Sequence, residues 1–530
     1  MISLYELVIE NSRRHPDKIA LWQVGGGDPI STTYGELADL AVRSANTLDS
    51  TLPEAGMLPV FANKSAESVA AMLACLATGR VFAFLNLKLR APQIELIMKL
   101  SGAQFGIMDG PRAMALRGGL GEDSLITDAT WWITGETSGP FSKALKRLPK
   151  RQDFSEILSK TGADLPAPDP SKPGCCLFTS GSTGSPKGVL IGAGDLAARA
   201  RSEVEAYGLD ENDVLLSILP FSFDVGLNQM MSSLSTGATL VMLDSWLPAD
   251  ILKTAANFKV TGISGVPAIW MDMMNAGLSF DGESTNLRYI TVSGGDLAER
   301  DLRRLPDFAP GAGIFKTYGQ TEAFRASMLK PDEFATHSAD VGRAYADVKL
   351  YVVDEEGQPC PPGETGEILH GGLGTMLGYL SAKNSDSKLR PNPFFGEDDP
   401  NKRIIFTGDM GSLDTDGYLS LAGRKDGMLK VMGNRIYPAE IIGQILEIDG
   451  VADAQVLGIK GEDGETTLVA FVVALAGVEF EPKKIRRELN GRLPAYMVPQ
   501  HVEILPVMPR TGTNKPDLKA LRERAARFIN

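Results

Sequence analysis

Cysteine, histidine, basic charge and long apolar runs are all scarce in this sequence, and each scarcity removes a class of protein. The 530 residues include four cysteines (Cys75, Cys175, Cys176, Cys360), whose spacings suit neither a disulfide framework nor a zinc site. Cys175 and Cys176 are neighbours inside an apolar run, and this usage fits a reducing, cytoplasmic compartment. The four histidines form no cluster, so chemistry resting on a metal-bound or nucleophile-activating imidazole is not expected. Lys and Arg number 53 against 66 Asp and Glu, a formal net charge of −13. That balance argues against a large nucleic-acid footprint and leaves room for a local basic patch around a phosphate-bearing ligand. The apolar run from Val214 to Phe221 is far too short to span a bilayer core of about 30 Å. The amino terminus, MISLYELVIENSRRHPDKIALW, lacks the basic start, apolar segment and small-residue cleavage site of a secretion signal; Leu4, Leu7 and Val8 mark a short amphipathic helix. No membrane span is expected.

A chain of this length exceeds the size at which one core stops growing, so two or more domains are expected. Residues 66–79 read as an apolar helix followed by the strand VFAFLNL, and the same alternation recurs at 194–219, 247–266 and 301–316, which argues for α/β layering. From about 340 to 422 short β-rich segments with turn signals follow, among them a hairpin turn at Asp416-Gly417. After Arg424 a basic, glycine-containing stretch leads to a helix from Pro438 and a mixed tail. We expect a boundary near Asp426, giving units 1–425 and 426–530. Neither an internal repeat nor a low-complexity tract is evident.

The strongest local signal is LFTSGSTGSPKGV, from Leu177 to Val189. Glycines there let backbone N–H groups approach phosphate oxygens, while Thr179, Ser180, Ser182 and Thr183 add hydroxyls and Lys187 adds charge. The usual P-loop is excluded, because Pro186-Lys187-Gly188 replaces its Gly-Lys-Ser/Thr. A flexible Gly/Ser linker is the alternative, but linkers rarely end a strand and carry Pro-Lys-Gly.

TSGSTGSPKG closely resembles the phosphate loop of the adenylate-forming superfamily: acyl-CoA synthetases, peptide-synthetase adenylation domains and luciferases. The likeness continues in order through TYGQTE (Thr317–Glu322), GETGEILHGGLGTMLGY (Gly363–Tyr379), TGDMGSLDTDGYLSLAGRKD (Thr407–Asp426), LPAYMVP (Leu493–Pro499) and PRTGTNKPDLKAL (Pro509–Leu521). The resemblance implies an α/β fold: a large N-terminal domain of two βα-layered subdomains and a small distorted β-barrel, followed by a small mobile α+β C-terminal domain. It implies an ATP site of Thr179, Ser180, Gly181, Ser182, Thr183, Gly184, Lys187, Gly294, Gly295, Asp296, Thr317, Tyr318, Gly319, Asp409 and Arg424. Within it Tyr318 would stack on adenine, Thr321 contact phosphate, Asp409 and Arg424 bind the ribose, and Glu322 hold Mg²⁺, which prefers a carboxylate plus substrate oxygens. Taken alone, Glu322 could be a helix N-terminal carboxylate and Asp409 a turn residue. Lys515 would bridge the substrate carboxylate and the α-phosphate, although by composition it reads as an ordinary solvated lysine. Asp426 would be the hinge, with Lys430 and Gly433 beside the phosphopantetheine tunnel.

By the same likeness the acyl pocket is lined by Phe223, Asp224, Asn228, Gly265, Thr291, Ser293, Thr317, Arg325 and Ala326. A buried Asp224 calls for a cationic partner such as a substrate ammonium, which favours a small or polar amino acid, with an oxygen for Arg325 to bind. The acceptor would then be a separate acyl or peptidyl carrier protein, since no carrier segment follows Leu518–Asn530. Two features point in opposite directions: Phe223 departs from the histidine of many CoA ligases, while KVMGNRIYPAEI leans toward them. The alternative is therefore a ligase making a CoA thioester of a fatty, aryl or other acid. IGAGDLAAR lacks the family's Ser-His-x-Asn, which leaves the helix start there open. A luciferase-like oxygenase shares the first half-reaction, whereas a non-catalytic homologue would have lost Lys187, Glu322, Asp409 or Lys515. A monomer or homodimer is expected.

Overall fold

The computed structural model describes residues 3–25, 27–116, 124–136, 139–158, 168–180, 186–280, 286–295, 297–381, 388–394, 403–425, 427, 429–431, 434–460, 466–511 and 515–528. The first element is the helix Leu4–Arg14, opened by a reciprocal cap between Ser3 and Glu6 and burying Leu4, Val8 and Asn11 at helical spacing. Two large sheets dominate the α/β fold. In a nine-stranded sheet, the strands Ile19–Val24, Val214–Ser217, Thr239–Leu243, Gly262–Gly265, Tyr289–Ser293 and Gly313–Tyr318 run parallel, with antiparallel strands at both edges. The eight-stranded sheet is parallel through Val81–Phe84, Met57–Phe61, Phe105–Asp109 and Thr130–Thr134. Its other flank carries the antiparallel hairpin Pro173–Ser180 and Pro186–Gly192, with the short strand Gly378–Tyr379 at the edge.

The helix Ala66–Thr78 is apolar all round, and its residues from Ser68 onward are buried, as a helix enclosed by neighbours requires. Ser65 caps its start and Gly79, at φ 67°, ends it in a left-handed turn. Cys75, Cys175 and Cys176 lie in the buried interior, and all four cysteines are free thiols. The strands Val348–Val353, Gly366–Gly372, Leu389–Pro391, Arg403–Leu413 and Leu419–Arg424 form a five-stranded antiparallel sheet, the distorted β-layer of the large unit. The Asp416-Gly417 signal lies in the turn between Arg403–Leu413 and Leu419–Arg424, a longer turn than a two-residue hairpin because Leu413 pairs with Leu419. Beyond it, the strands Val451–Lys460, Thr466–Ala474 and His501–Leu505 form a small sheet with its own apolar core, which includes Ile441, Ile445, Ile485 and Leu489 from two helices. Glu447 of this small unit accepts hydrogen bonds from Arg300 N–H (3.0 Å) and Arg303 Nη2 (3.1 Å) of the large one. Among the described residues no helix is long and apolar enough to cross a membrane.

One buried cation ties the two large sheets where their strands end. Lys64, just beyond Met57–Phe61, is 5 % exposed and donates from Nζ to the carbonyls of Ser217 (2.8 Å) and Leu243 (3.0 Å), with Asp244 at 3.6 Å. Those carbonyls end two strands of the other sheet, so the lysine satisfies backbone acceptors that would otherwise be buried unpaired. Burial pulls its amine down to about 8, with Asp244 opposing. The folded value lies below the ordinary 10.5, so the unfolded chain holds more protons between those limits and this group's contribution to stability rises with pH across that window. We expect Lys64→Met to lower stability by about 2 kcal/mol at pH 7 and to flatten the rise above pH 8; urea unfolding measured from pH 7 to 10 checks both.

Candidate active site

The nucleotide end of the site is built around Asp409. The parallel strand Gly313–Tyr318 delivers Tyr318 to its carboxyl end, the usual place for ligands in such sheets. Tyr318 Oη donates to Asp409 Oδ2 (2.7 Å), and Gln320 Nε2 donates to the same oxygen and to the Thr407 carbonyl (3.0 Å). On the other side Arg424 Nη1 donates to Asp409 Oδ1 (2.7 Å), the two residues lying opposite one another in an antiparallel pair. Gly319 stands where a Cβ would come 2.7 Å from Arg325 N, so the chain can reverse tightly after Tyr318. Thr321, half-buried, lies between Gln320 and Glu322.

The phosphate segment is a β-hairpin with Thr179 opposite Lys187 and Ser180 opposite Pro186. Gly181, Ser182, Thr183 and Gly184 lie outside the described residues, as do Asp296, Asp426, Gly433 and the side chains of Ser180 and Lys430. Lys187 Nζ lies 5.8 Å from the Tyr379 ring centroid. Tyr379 Oη donates to Glu322 Oε1 (2.7 Å), and Lys388 Nζ reaches that oxygen and Gln320 Oε1, both at 3.1 Å. A continuous run of side chains thus joins Lys187 to Asp409. Burial pushes the Glu322 carboxyl up, but Lys388 and the Tyr379 hydroxyl outweigh it and hold the group below its ordinary value. Glu322 is therefore an ionised, hard oxygen donor at neutral pH and fits Mg²⁺. Among the described residues no group of three or more His, Cys, Asp or Glu could hold a metal, so a cation here would share its coordination with nucleotide phosphates.

Most of the residues expected to line an acyl site lie on or beside the helix Asp224–Thr236 and the strands Tyr289–Ser293 and Gly313–Tyr318. Phe223 caps the helix through its backbone, and its ring reaches the place a Cβ on Gly294 would take (3.0 Å), with Gly294 itself at φ 75°. Gly294 and Gly295 are exposed just past the end of their strand. Val225 N–H donates to Asp224 Oδ1 (2.8 Å). Burial pushes the Asp224 carboxyl up, countered by Arg325, the Val225 N–H and Lys515. Lys515 is exposed, its carbonyl accepts from Thr511 N–H (2.7 Å), and its charge reaches Asp224 through the field.

Three of the expected lining residues form a ladder of buried hydroxyls, the floor an acyl site there would have: Thr291 to Ser293 at 3.2 Å, Ser293 to Thr317 at 2.7 Å, with Arg325 Nη1 donating to Thr317 at 2.8 Å. Ala326 and Asn228 are fully buried, and among the described residues neither polar atom of the Asn228 side chain has a hydrogen-bond partner. A Cβ on Gly265 would meet the Trp270 indole at 2.2 Å. The ring fills that wall and donates from Nε1 to the Thr291 carbonyl (3.0 Å). Sequence reasoning did not assign Gln320, Tyr379, Lys388, Trp270 or Glu203. Gln320 and Tyr379 lie inside quoted motifs and could have been found there; the other three carry no local signal.

Comparison with known proteins gives the family. Residues 8–380 match the family described as AMP-binding enzyme, and residues 443–515 match the AMP-binding enzyme C-terminal domain. The chain belongs to the AMP-binding enzyme family. It is 31 % identical over 356 residues to bacitracin synthase 3 of Bacillus licheniformis, covering 66 % of this chain and 5 % of that protein. The chain thus spans only a small fraction of that relative. It is 29 % identical over 509 residues to indoleacetate–CoA ligase of Aromatoleum aromaticum, covering 93 % of each. The fold matches ATP-bound MatB from Rhodopseudomonas palustris with a TM-score of 0.83 at 23 % identity, covering 99 % of this chain and 100 % of that one.

Asp409 carries three donors, so Asp409→Asn should loosen Tyr318, Gln320 and Arg424 together. We expect affinity for ATP to fall roughly 10- to 100-fold, about 1.4–2.8 kcal/mol, in calorimetric titration of the purified protein.

Proposed function

We propose that this protein activates a small or polar amino acid with ATP and passes the acyl group to the phosphopantetheine thiol of a separate carrier protein. The observation that carries the reading is the continuous side-chain run from Lys187 through Tyr379, Glu322, Lys388 and Gln320 to Asp409, with the buried Asp224 within the fields of both Glu322 and Lys515. In the first half-reaction a carboxylate oxygen of the acid attacks the α-phosphorus and pyrophosphate leaves; in the second, the thiol sulfur attacks the acyl carbon and AMP leaves. Tyr318, Asp409 and Arg424 would orient the nucleoside, and the hairpin with Lys187 would hold the phosphates. Thr321 would add a hydroxyl. Lys515 would offset the charge that gathers between carboxylate and α-phosphate. Mg²⁺, where bound, would neutralise phosphate charge, with Glu322 as the protein ligand. Residues 1–425 would form the unit holding ATP and acid, with 426–530 turning about Asp426 to bring Lys430 and Gly433 to the thiol path. The setting would be cytoplasmic.

A CoA ligase is the second reading, favoured by one observation: Arg325 already places a cation within electrostatic reach of Asp224, so a substrate amine is not required to balance it. The end-to-end likeness to indoleacetate–CoA ligase fits that reading too.

ATP–pyrophosphate exchange across amino, aryl and fatty acids separates the two. The amino-acid reading expects one small or polar amino acid to stimulate exchange and Asp224→Ala to abolish that response; stimulation only by acids lacking an amine would transfer the lead to the CoA ligase. In the same assay Lys515→Ala should lower kcat on the order of 10²–10³-fold, as for loss of a donor to developing charge, with a much smaller change in ATP affinity.

A further inference from the structure

We propose that Glu203, which lies outside the acyl pocket, is a positioning residue that sets the charge the pocket presents: it holds the Arg325 guanidinium behind the pocket floor and so leaves Asp224 available to a cationic group on the substrate. The inference rests on the amino-acid reading above.

Arg325 is one of three described non-glycine residues with positive φ (59°), a conformation an arginine adopts only when its surroundings hold it there. Its Nη2 lies 2.5 Å from Glu203 Oε1, and the two side chains are 8 % and 2 % exposed. Glu203 belongs to the helix Ala193–Tyr207, and Ser232 Oγ of the neighbouring helix donates to its other oxygen at 3.4 Å. The remaining arm of the guanidinium donates to Thr317 and, at 3.4 Å, to Ser293. Arginine only donates, so both hydroxyls accept from it and the floor is tied to the buried ion pair.

The space on the Glu203 side excludes substrate. A cavity of about 10 Å³ lies there, bordered by Arg199, Glu203, Arg325 and Tyr345, room for about one water. Arg199, one turn before Glu203, is 2 % exposed, lies 4.6 Å from the Phe324 ring centroid and occupies the place a Cβ on Gly374 would take. Among the described residues it touches no carboxylate within ion-pair distance, although Asp195, one turn before it on the same helix, and Glu203 offset part of its charge through the field. Arg325 therefore meets a second cation behind the floor as well as Glu203. Without the glutamate, repulsion from Arg199 and attraction to Asp224 would both drive Arg325 toward the pocket.

The test uses the full-length enzyme in ATP–pyrophosphate exchange with the responding amino acid and its analogue lacking the amine. In Glu203→Gln the KM for the amino acid should rise about tenfold or more while kcat changes less than about threefold, the mark of lost ground-state binding. KM for the amine-free analogue should stay level or fall. In Glu203→Gln/Arg325→Gln the displaced cation is gone, and preference for the amine should return. Equal losses for both acids, or no recovery in the double variant, would show that Glu203 only supports the fold and overturn the inference while the amino-acid reading stood. Should Glu203→Gln fail to fold, Glu203→Asp keeps the charge with a shorter reach and should give the same ordering at smaller size; equal effects on both acids there would again overturn it. If the wild type responds only to acids without an amine, the amino-acid reading falls by that result. Acids with a second carboxylate then decide the Glu203 inference, since their KM should fall in Glu203→Gln, and an unchanged KM sinks it.

Discussion

A single carboxylate, Asp409, carries the geometry of the nucleotide end. It is 13 % exposed and accepts from Tyr318, Gln320 and Arg424, residues delivered by two different sheets. A charge so far removed from water must have its lone pairs met, so the requirement of one group locks the end of the Gly313–Tyr318 strand to the Arg403–Leu413 strand. Gln320, held by Asp409, turns its carbonyl oxygen to Lys388, and Lys388 in turn reaches Glu322. The position of the acidic oxygen suited to a cation is therefore set at one remove by Asp409.

The acyl end follows the same economy of charge with a different outcome. Asp224, Glu203, Arg199 and Arg325 interact within one buried region. Contact distance decides among them: Glu203 touches Arg325, while Asp224 feels it only through the field. The hydroxyls of Thr291, Ser293 and Thr317 and the Arg325 guanidinium are linked in one buried network. Trp270 hardens the remaining wall because Gly265 yields it the space.

Much of the fold was legible because local patterns and global structure agree. The apolar run 66–79 is a buried helix, the alternating segments form the parallel strands, and Asp416-Gly417 does lie in a turn, though a longer one than the dipeptide alone suggested. The helix after the phosphate hairpin starts at Ala193 with Gly192 before it and no side-chain cap, which sequence could not locate without the family's usual capping residues. Of the site, the segments containing Tyr318, Glu322, Asp409 and Arg424 were legible as motifs, and the structure brings these four into one connected cluster. The turn between Ser180 and Pro186 lies outside the described residues.

By itself the sequence determined which backbone runs become strands, where glycines permit close approach, and which segments carry hydroxyl, carboxylate and ammonium groups. These are properties of residues near one another in the chain, written in periodicity and composition. Only the tertiary structure decided which charges touch. Lys388 meets Glu322 across 66 positions, Tyr318 meets Asp409 across 91, and Arg325 pairs with Glu203 on a helix far upstream. Partner choice between buried charges depends on distances that sheet packing creates, and steep distance dependence in a poorly screened interior makes the nearest partner prevail.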